Sequence, residues 1–144
     1  MAHLAWKAAM SVGNAHIDHQ HGHIIYLVNR LADFQGDREV DKRDIYGGLS
    51  DLTLAMTRHF HDEEQLMMTN GCPWYETHAG EHVWFVEKLT EMMLMEEQVM
   101  LLRSVSFLRD WLASHLAGED LRAAPYLREP IQHTGNPAHK PEHR

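Results

Sequence analysis

The chain has 144 residues, with 13 Lys and Arg against 21 Asp and Glu, for a formal net charge of -8. That length suits one domain, and 44% hydrophobic with 24% charged residues is a globular mixture. A net-negative chain without a basic stripe is unsuited to nucleic acid, and no apolar run approaches the roughly 18–20 residues of a membrane span.

Met1 to His16 reads as an arm lying on the folded body, with Trp6 as its anchor. Its first thirteen residues hold Lys7 inside their only apolar patch and lack the core of a signal peptide. The single Cys72 excludes an internal disulfide and fits a reducing cytoplasm, so the expected location is cytoplasmic. Steps of three and four then predict four helices. The first, Asp18 to Phe34, carries Ile17, His21, Ile24, Val28 and Leu31 on one stripe, with Asp18 as N-cap and Gly36-Asp37 closing it. The second, Lys42 to Thr69, carries Ile45, Leu49, Leu52, Met56, His59, Glu63 and Leu66; Gly47-Gly48 within it suggests a close helix contact. Asn70-Gly71-Cys72-Pro73 turns the chain into the third, Tyr75 to Met95, with His78, His82, Phe85, Leu89 and Met92. A turn near Glu96–Val99 leads to the fourth, Met100 to Ala117, with Leu101, Val105, Leu108, Leu112 and His115, ended by Gly118. Short connections make this an all-α, antiparallel up-down-up-down four-helix bundle spanning residues 1–128. From Glu129 to Arg144, Pro130, Pro137 and Pro141 alternate with polar residues and His133, His139 and His143, the composition of a mobile tail.

Six seam positions carry residues that a bundle core should not tolerate: His21, His59, Glu63, His78, His82 and His115. Burying them without partners costs several kcal/mol each. In an up-down-up-down bundle all six fall near one end, at one depth. His59/Glu63 and His78/His82 are i,i+4 pairs, stacked one turn apart on a helix face. Asp120, five residues past His115, reaches the same place if Gly118 breaks the helix. Five imidazoles and two carboxylates exceed the needs of one metal and divide over two, with the carboxylates shared. Such donors without thiolate suit iron, and less well manganese or zinc. Two redox-active ions point to dioxygen chemistry. His19, His23 and His61 flank these residues off the stripe and read as solvated groups or as supports behind the ligands rather than as ligands.

These residues resemble the bacteriohemerythrins. The likeness lies in Ile17-Asp18-His19-Gln20-His21, His59-Phe60-His61-Asp62-Glu63-Glu64 with Met67, Gly71 and Pro73, His78-x-x-x-His82, and Trp111-Leu112-Ala113-Ser114-His115 with Asp120. It implies two iron ions with a bridging oxo or hydroxo group, one held by His78, His82 and His115 and the other by His21 and His59, with Glu63 and Asp120 shared. The second iron then keeps an open position for dioxygen; nitric oxide, azide and other small anions are further ligands of such a position. Ile24, Ile25, Met56, Phe60, Trp111 and Leu112 are expected to wall it, Ile24 and Leu112 most closely. The implied function is reversible dioxygen carriage, storage or delivery rather than turnover. A di-iron oxidase, peroxidase or nitric oxide reductase, or an oxygen sensor, are the alternatives. His78-Ala79-Gly80-Glu81-His82 also has the HxxEH form of a zinc protease, a short pattern that would leave His21, His59, Glu63 and His115 unexplained.

Overall fold

The structure, a computed structural model, describes residues 3–128 other than Gly36 and Arg38, without the side chains of Glu97 and Gln98. Gly36 of the first turn and the tail from Glu129, with its three histidines, lie outside the described residues.

Helix α1 spans Ala15–Phe34, α2 Lys42–Thr69, α3 Tyr75–Met93 and α4 Glu97–His115. Each packs on two neighbours, α1 on α2, α2 on α3, α3 on α4 and α4 on α1, which closes a four-helix bundle. Among the described residues there is no strand, and no helix is long and apolar enough to cross a membrane. The stripes expected from sequence face inward: Ile24, Val28, Leu31, Leu49, Leu52, Phe85, Val105 and Leu108 are all buried.

The helix ends differ instructively from expectation. Asn14, not Asp18, caps α1, its side chain accepting from His16 N and Ile17 N at 2.9 and 3.2 Å. Asp18 lies one turn inside and binds the arm, accepting from Val12 N at 2.9 Å and Ser11 Oγ at 2.5 Å. The arm is anchored there and by Val12, which is buried, and by Leu4, whose N–H and C=O both pair with the Asn29 amide. Trp6, the expected anchor, is 38% exposed. α2 ends as expected in a left-handed Gly71 (φ 69°), with Cys72 N donating to Met67 O at 2.8 Å and Gly71 N to Met68 O at 3.3 Å.

Helix α4 is not broken at Gly118. It runs into a π-helical turn, Leu116–Asp120, then Leu121–Ala123 and a 3-10 turn Ala124–Tyr126. This C-terminal segment is sewn onto the bundle end: Asn14 Nδ2 donates to Leu127 O at 2.9 Å and Asn70 Nδ2 to Tyr126 O at 2.8 Å. The core is consequently divided. A large apolar cluster fills most of the bundle, and a smaller one, with Val12, Ile17, Met67, Cys72, Ala123 and Leu127, plugs its end. His21 falls between Ile17 and Ile24 and Glu63 between Phe60 and Met67, so the polar residues occupy the layer between two apolar ones.

The glycine pair in α2 separates into two cases. A methyl at Gly48 would come within 3.1 Å of Leu31 Cδ2 and 3.5 Å of Phe34 Cε2; at Gly47 it would meet nothing within 4 Å. Leu31 is fully buried, so its side chain would have to shift within the packed core. Gly47→Ala is therefore expected to stabilise the fold by about 1 kcal/mol, raising Tm by about 2–4 °C. Gly48→Ala should gain nothing, and paired thermal melts check the difference.

Candidate metal centre

Four helices and the π turn each deliver part of one buried layer. α1 supplies His21, α2 His59 and Glu63, α3 His78 and His82, α4 His115, and the π turn Asp120; all seven are at most 4% exposed. The π turn explains Asp120. In a regular α-helix a residue five positions on points about 140° away around the axis. Bonding from i to i+5 widens the turn and returns it to the face of its partner, and Asp120 Oδ1 lies 3.1 Å from His115 Nε2.

The two carboxylates divide their oxygens between two groups of imidazoles. Glu63 Oε1 is 3.3 Å from both His78 Nε2 and His82 Nε2, while Oε2 is 3.1 Å from His59 Nε2 and 3.3 Å from His21 Nε2. Asp120 repeats the pattern: Oδ1 is 3.2 Å from His78 Nε2, and Oδ2 is 3.1 Å from His21 Nε2. One nest therefore has three imidazoles, the other two, and each carboxylate faces both. Within Glu63, His78, His82 and His115, and again within His21, His59, Glu63 and Asp120, the ligand atoms lie within 4.8 Å of one another.

These contacts do not amount to a satisfied hydrogen-bond network. Among the described residues, His82 Nε2, His115 Nε2 and both Asp120 oxygens are buried without a hydrogen-bond partner, although oppositely charged or donating atoms lie 3.1–3.3 Å away. His59 Nδ1 donates to Gln20 Oε1 at 2.9 Å, which leaves its Nε2 a bare acceptor only 3.0 Å from His21 Nε2. Lone pairs converging this closely need a cation between them, either protons or metal ions. The donor set, imidazole and carboxylate without thiolate, fits first-row divalent metals, iron among them.

The titration behaviour agrees. Burial alone would lower the His21 imidazole, but Asp120 and Glu63 overcome it and raise it to about 9. Against the same burial penalty, the same two carboxylates carry His78 to about 10 and raise His115 above its ordinary 6.5. Burial and the charge of Glu63 push the Asp120 carboxyl up, yet the His115, His21 and His78 imidazoles crowded against it bring it below its ordinary range; Glu63 is likewise held well below its own.

Three supporting residues carry no role in the sequence reading. Gln20 backs His59, Glu64 Oε2 accepts from His82 Nδ1 at 2.8 Å, and Glu81 Oε1 accepts from His115 Nδ1 at 3.2 Å. Glu81 thus orients an imidazole of the nest, which accounts for its place in the HxxEH run without a protease. The one available signal is adjacency, since each sits one residue from a seam ligand. Among the expected wall residues, Ile24, Ile25, Met56 and Leu112 are buried, while Phe60 stacks on His82 at 3.8 Å and Trp111 on His115 at 4.2 Å between ring centroids. His19, His23 and His61 are exposed.

Comparison with known proteins meets this geometry from the other side. The family described as the hemerythrin HHE cation binding domain matches residues 12–127. A bacteriohemerythrin of Stenotrophomonas maltophilia is 32% identical over 133 residues, 89% of this chain and 84% of that protein. One from Pseudomonas aeruginosa is 30% identical over 125 residues, 83% and 78% of the two chains, and one from Campylobacter jejuni 26% over 123 residues, 83% and 92%. A crystal structure of a wild-type hemerythrin superposes with a TM-score of 0.74 at 26% identity, covering 89% of this chain and all of that one. A hemerythrin mutant gives 0.75 at 25% identity, covering 90% and 100%.

Proposed function

The chain belongs to the hemerythrin family, and from that premise we propose that it binds dioxygen reversibly at a pair of iron ions bridged by an oxo or hydroxo group. His78, His82 and His115 would hold one iron, His21 and His59 the other, with Glu63 and Asp120 spanning both through their separate oxygens. The observation that carries this reading is the inequality of the two nests. Both carboxylates serve each nest equally, so the nest with two imidazoles is one side-chain donor short and leaves a position for a small ligand. When bound, the iron pair would supply the electrons that dioxygen takes up and returns.

The chain's own residues do the rest. Glu63 and Asp120 offset the positive charge brought into a buried layer. Gln20, Glu64 and Glu81 hold the Nδ1 protons of His59, His82 and His115, which keeps each Nε2 free for metal. Ile24, Ile25, Met56 and Leu112, with Phe60 and Trp111 packed on the imidazoles, exclude water and slow proton access. Exclusion of water favours release of dioxygen over its reduction, which argues for a carrier rather than an oxidase.

The test is gas uptake by the anaerobically reduced, iron-loaded protein. About one dioxygen per two irons should be taken up and recovered under vacuum, and azide should compete for the same position. Continuous dioxygen consumption under excess reductant would overturn the carrier reading in favour of an oxidase or peroxidase. The wall gives a second prediction. Leu112→Ala and Leu108→Ala should each destabilise the fold by about 2–5 kcal/mol, both residues being buried. Only Leu112→Ala, one turn from His115, should speed autoxidation, followed as loss of the charge-transfer absorption with time in air.

A further inference from the structure

Three of the five imidazoles lean on a hydrogen-bond acceptor, and the acceptors differ in charge. Behind His82 and His115 stand carboxylates, Glu64 and Glu81. Behind His59 stands the neutral amide of Gln20, at 2.9 Å. The orientation of that amide is fixed at its other end, where Gln20 Nε2 donates to Asp62 Oδ2 at 2.8 Å. Asp62 Oδ2 is in turn 3.1 Å from His16 Nε2. Turned over, the amide would oppose its oxygen to Asp62 and its N–H to the N–H of His59. The buried Nδ1 atoms of His21 and His78 have no hydrogen-bond partner among the described residues.

We infer that Gln20 is a positioning residue that keeps the two metal positions electronically unequal, an inference resting on the di-iron reading above. A carboxylate that accepts an imidazole's Nδ1 proton raises the electron density at Nε2 and favours the higher oxidation state of the metal bound there; an amide does so weakly. The three-imidazole position has two ligands strengthened in this way. The two-imidazole position has none, because His21 has no acceptor and His59 has Gln20. The negative charge of Asp62 is held one residue away from His59, behind the amide. The position open to an external ligand is therefore the one with the weaker donors.

A charge transposition tests this without altering net charge. In the double variant Gln20→Glu with Asp62→Asn, the carboxylate faces His59 and the amide donates to it from behind. Iron alone is loaded, iron content is measured on the same samples, and the midpoint potential is followed by redox titration. The expected result is full iron content with a lowered potential. At a fixed applied potential the oxidised-to-reduced ratio should rise about ten-fold, which is about 59 mV for a one-electron step. Glu64→Gln should shift the potential the opposite way. Gln20→Leu, which removes the acceptor altogether, should weaken metal binding by about 10–100-fold. Full iron content with an unchanged potential in the double variant would overturn the inference. If that variant does not hold iron, Glu64→Gln and Glu81→Gln decide: raised potentials support the inference and unchanged ones overturn it. Failure of the unaltered protein to take up iron would instead contradict the di-iron reading.

Discussion

At the proposed di-iron centre, Glu63→Ala should remove both irons, whereas His59→Ala should leave about one per chain. Glu63 is fully buried, and its two oxygens each face a different nest at 3.1–3.3 Å. Removing it withdraws a donor from both positions and leaves the raised His21 and His78 imidazoles with one carboxylate between them. Breaking a buried charge pair in this way costs about 3–5 kcal/mol, so the metal-free variant should also melt lower. His59 belongs to one nest only, and its loss leaves His78, His82 and His115 with both carboxylates. Iron analysis on protein whose helicity is verified by circular dichroism distinguishes the two. Equal losses in both variants would mean that the carboxylate is not shared.

Metal-free protein should be most stable in mildly acidic solution, between about pH 4.5 and 6.5, and the metal should reverse this preference. His21 and His78 titrate near 9 and 10 in the fold against an ordinary 6.5. Their imidazolium forms contribute stability fully below about pH 6.5, and the contribution is lost as pH rises toward 9 and 10. Glu63 and Asp120 lie below their ordinary 4.5 and 3.8, so their contribution is complete above about pH 4.5 and is lost as pH falls through their lowered values. In that window the imidazolium forms of His21 and His78, joined by His115, which is also raised, face the two carboxylates within the layer. Metal requires the imidazoles neutral, so loading near pH 7 should release protons, and affinity should rise with pH. Calorimetry in two buffers of different ionisation enthalpy reads the release. Loading without proton release would contradict the charge state inferred for His21 and His78.

Period-3.6 spacing made the four helices legible, because polar residues interrupting an apolar stripe stand out as strongly as the stripe itself. His21, His59, Glu63, His78, His82 and His115 were visible for that reason, and the structure brings them together. Asp120 was picked out too, from its distance past His115 and from the family likeness, but through a break at Gly118 that the helix does not make. Its route into the layer depends on a change of backbone hydrogen bonding from i,i+4 to i,i+5, which glycine content does not encode; Gly118 is exposed, and a Cβ there would meet nothing within 4 Å. Gln20, Glu64 and Glu81 were illegible because they lie on the flank of the stripe, where polar residues are the rule. The arm misled for another reason. Trp6 has the largest apolar surface there, but the arm is held by backbone groups of Leu4 and Val12 meeting Asn29 and Asp18, and backbone pairing leaves no mark in side-chain identity. Asp18 and Asn14 are both good caps four residues apart, and Asp18 is taken up by the arm.

The proposed sharing of Glu63 and Asp120 between two metal positions is open to direct observation by anomalous diffraction at the iron edge from crystals of the loaded protein. Two separate peaks are expected, one among His78, His82 and His115 and one beside His21 and His59, with an oxygen of each carboxylate directed to each peak. A single peak, or two peaks with either carboxylate confined to one of them, would contradict the account.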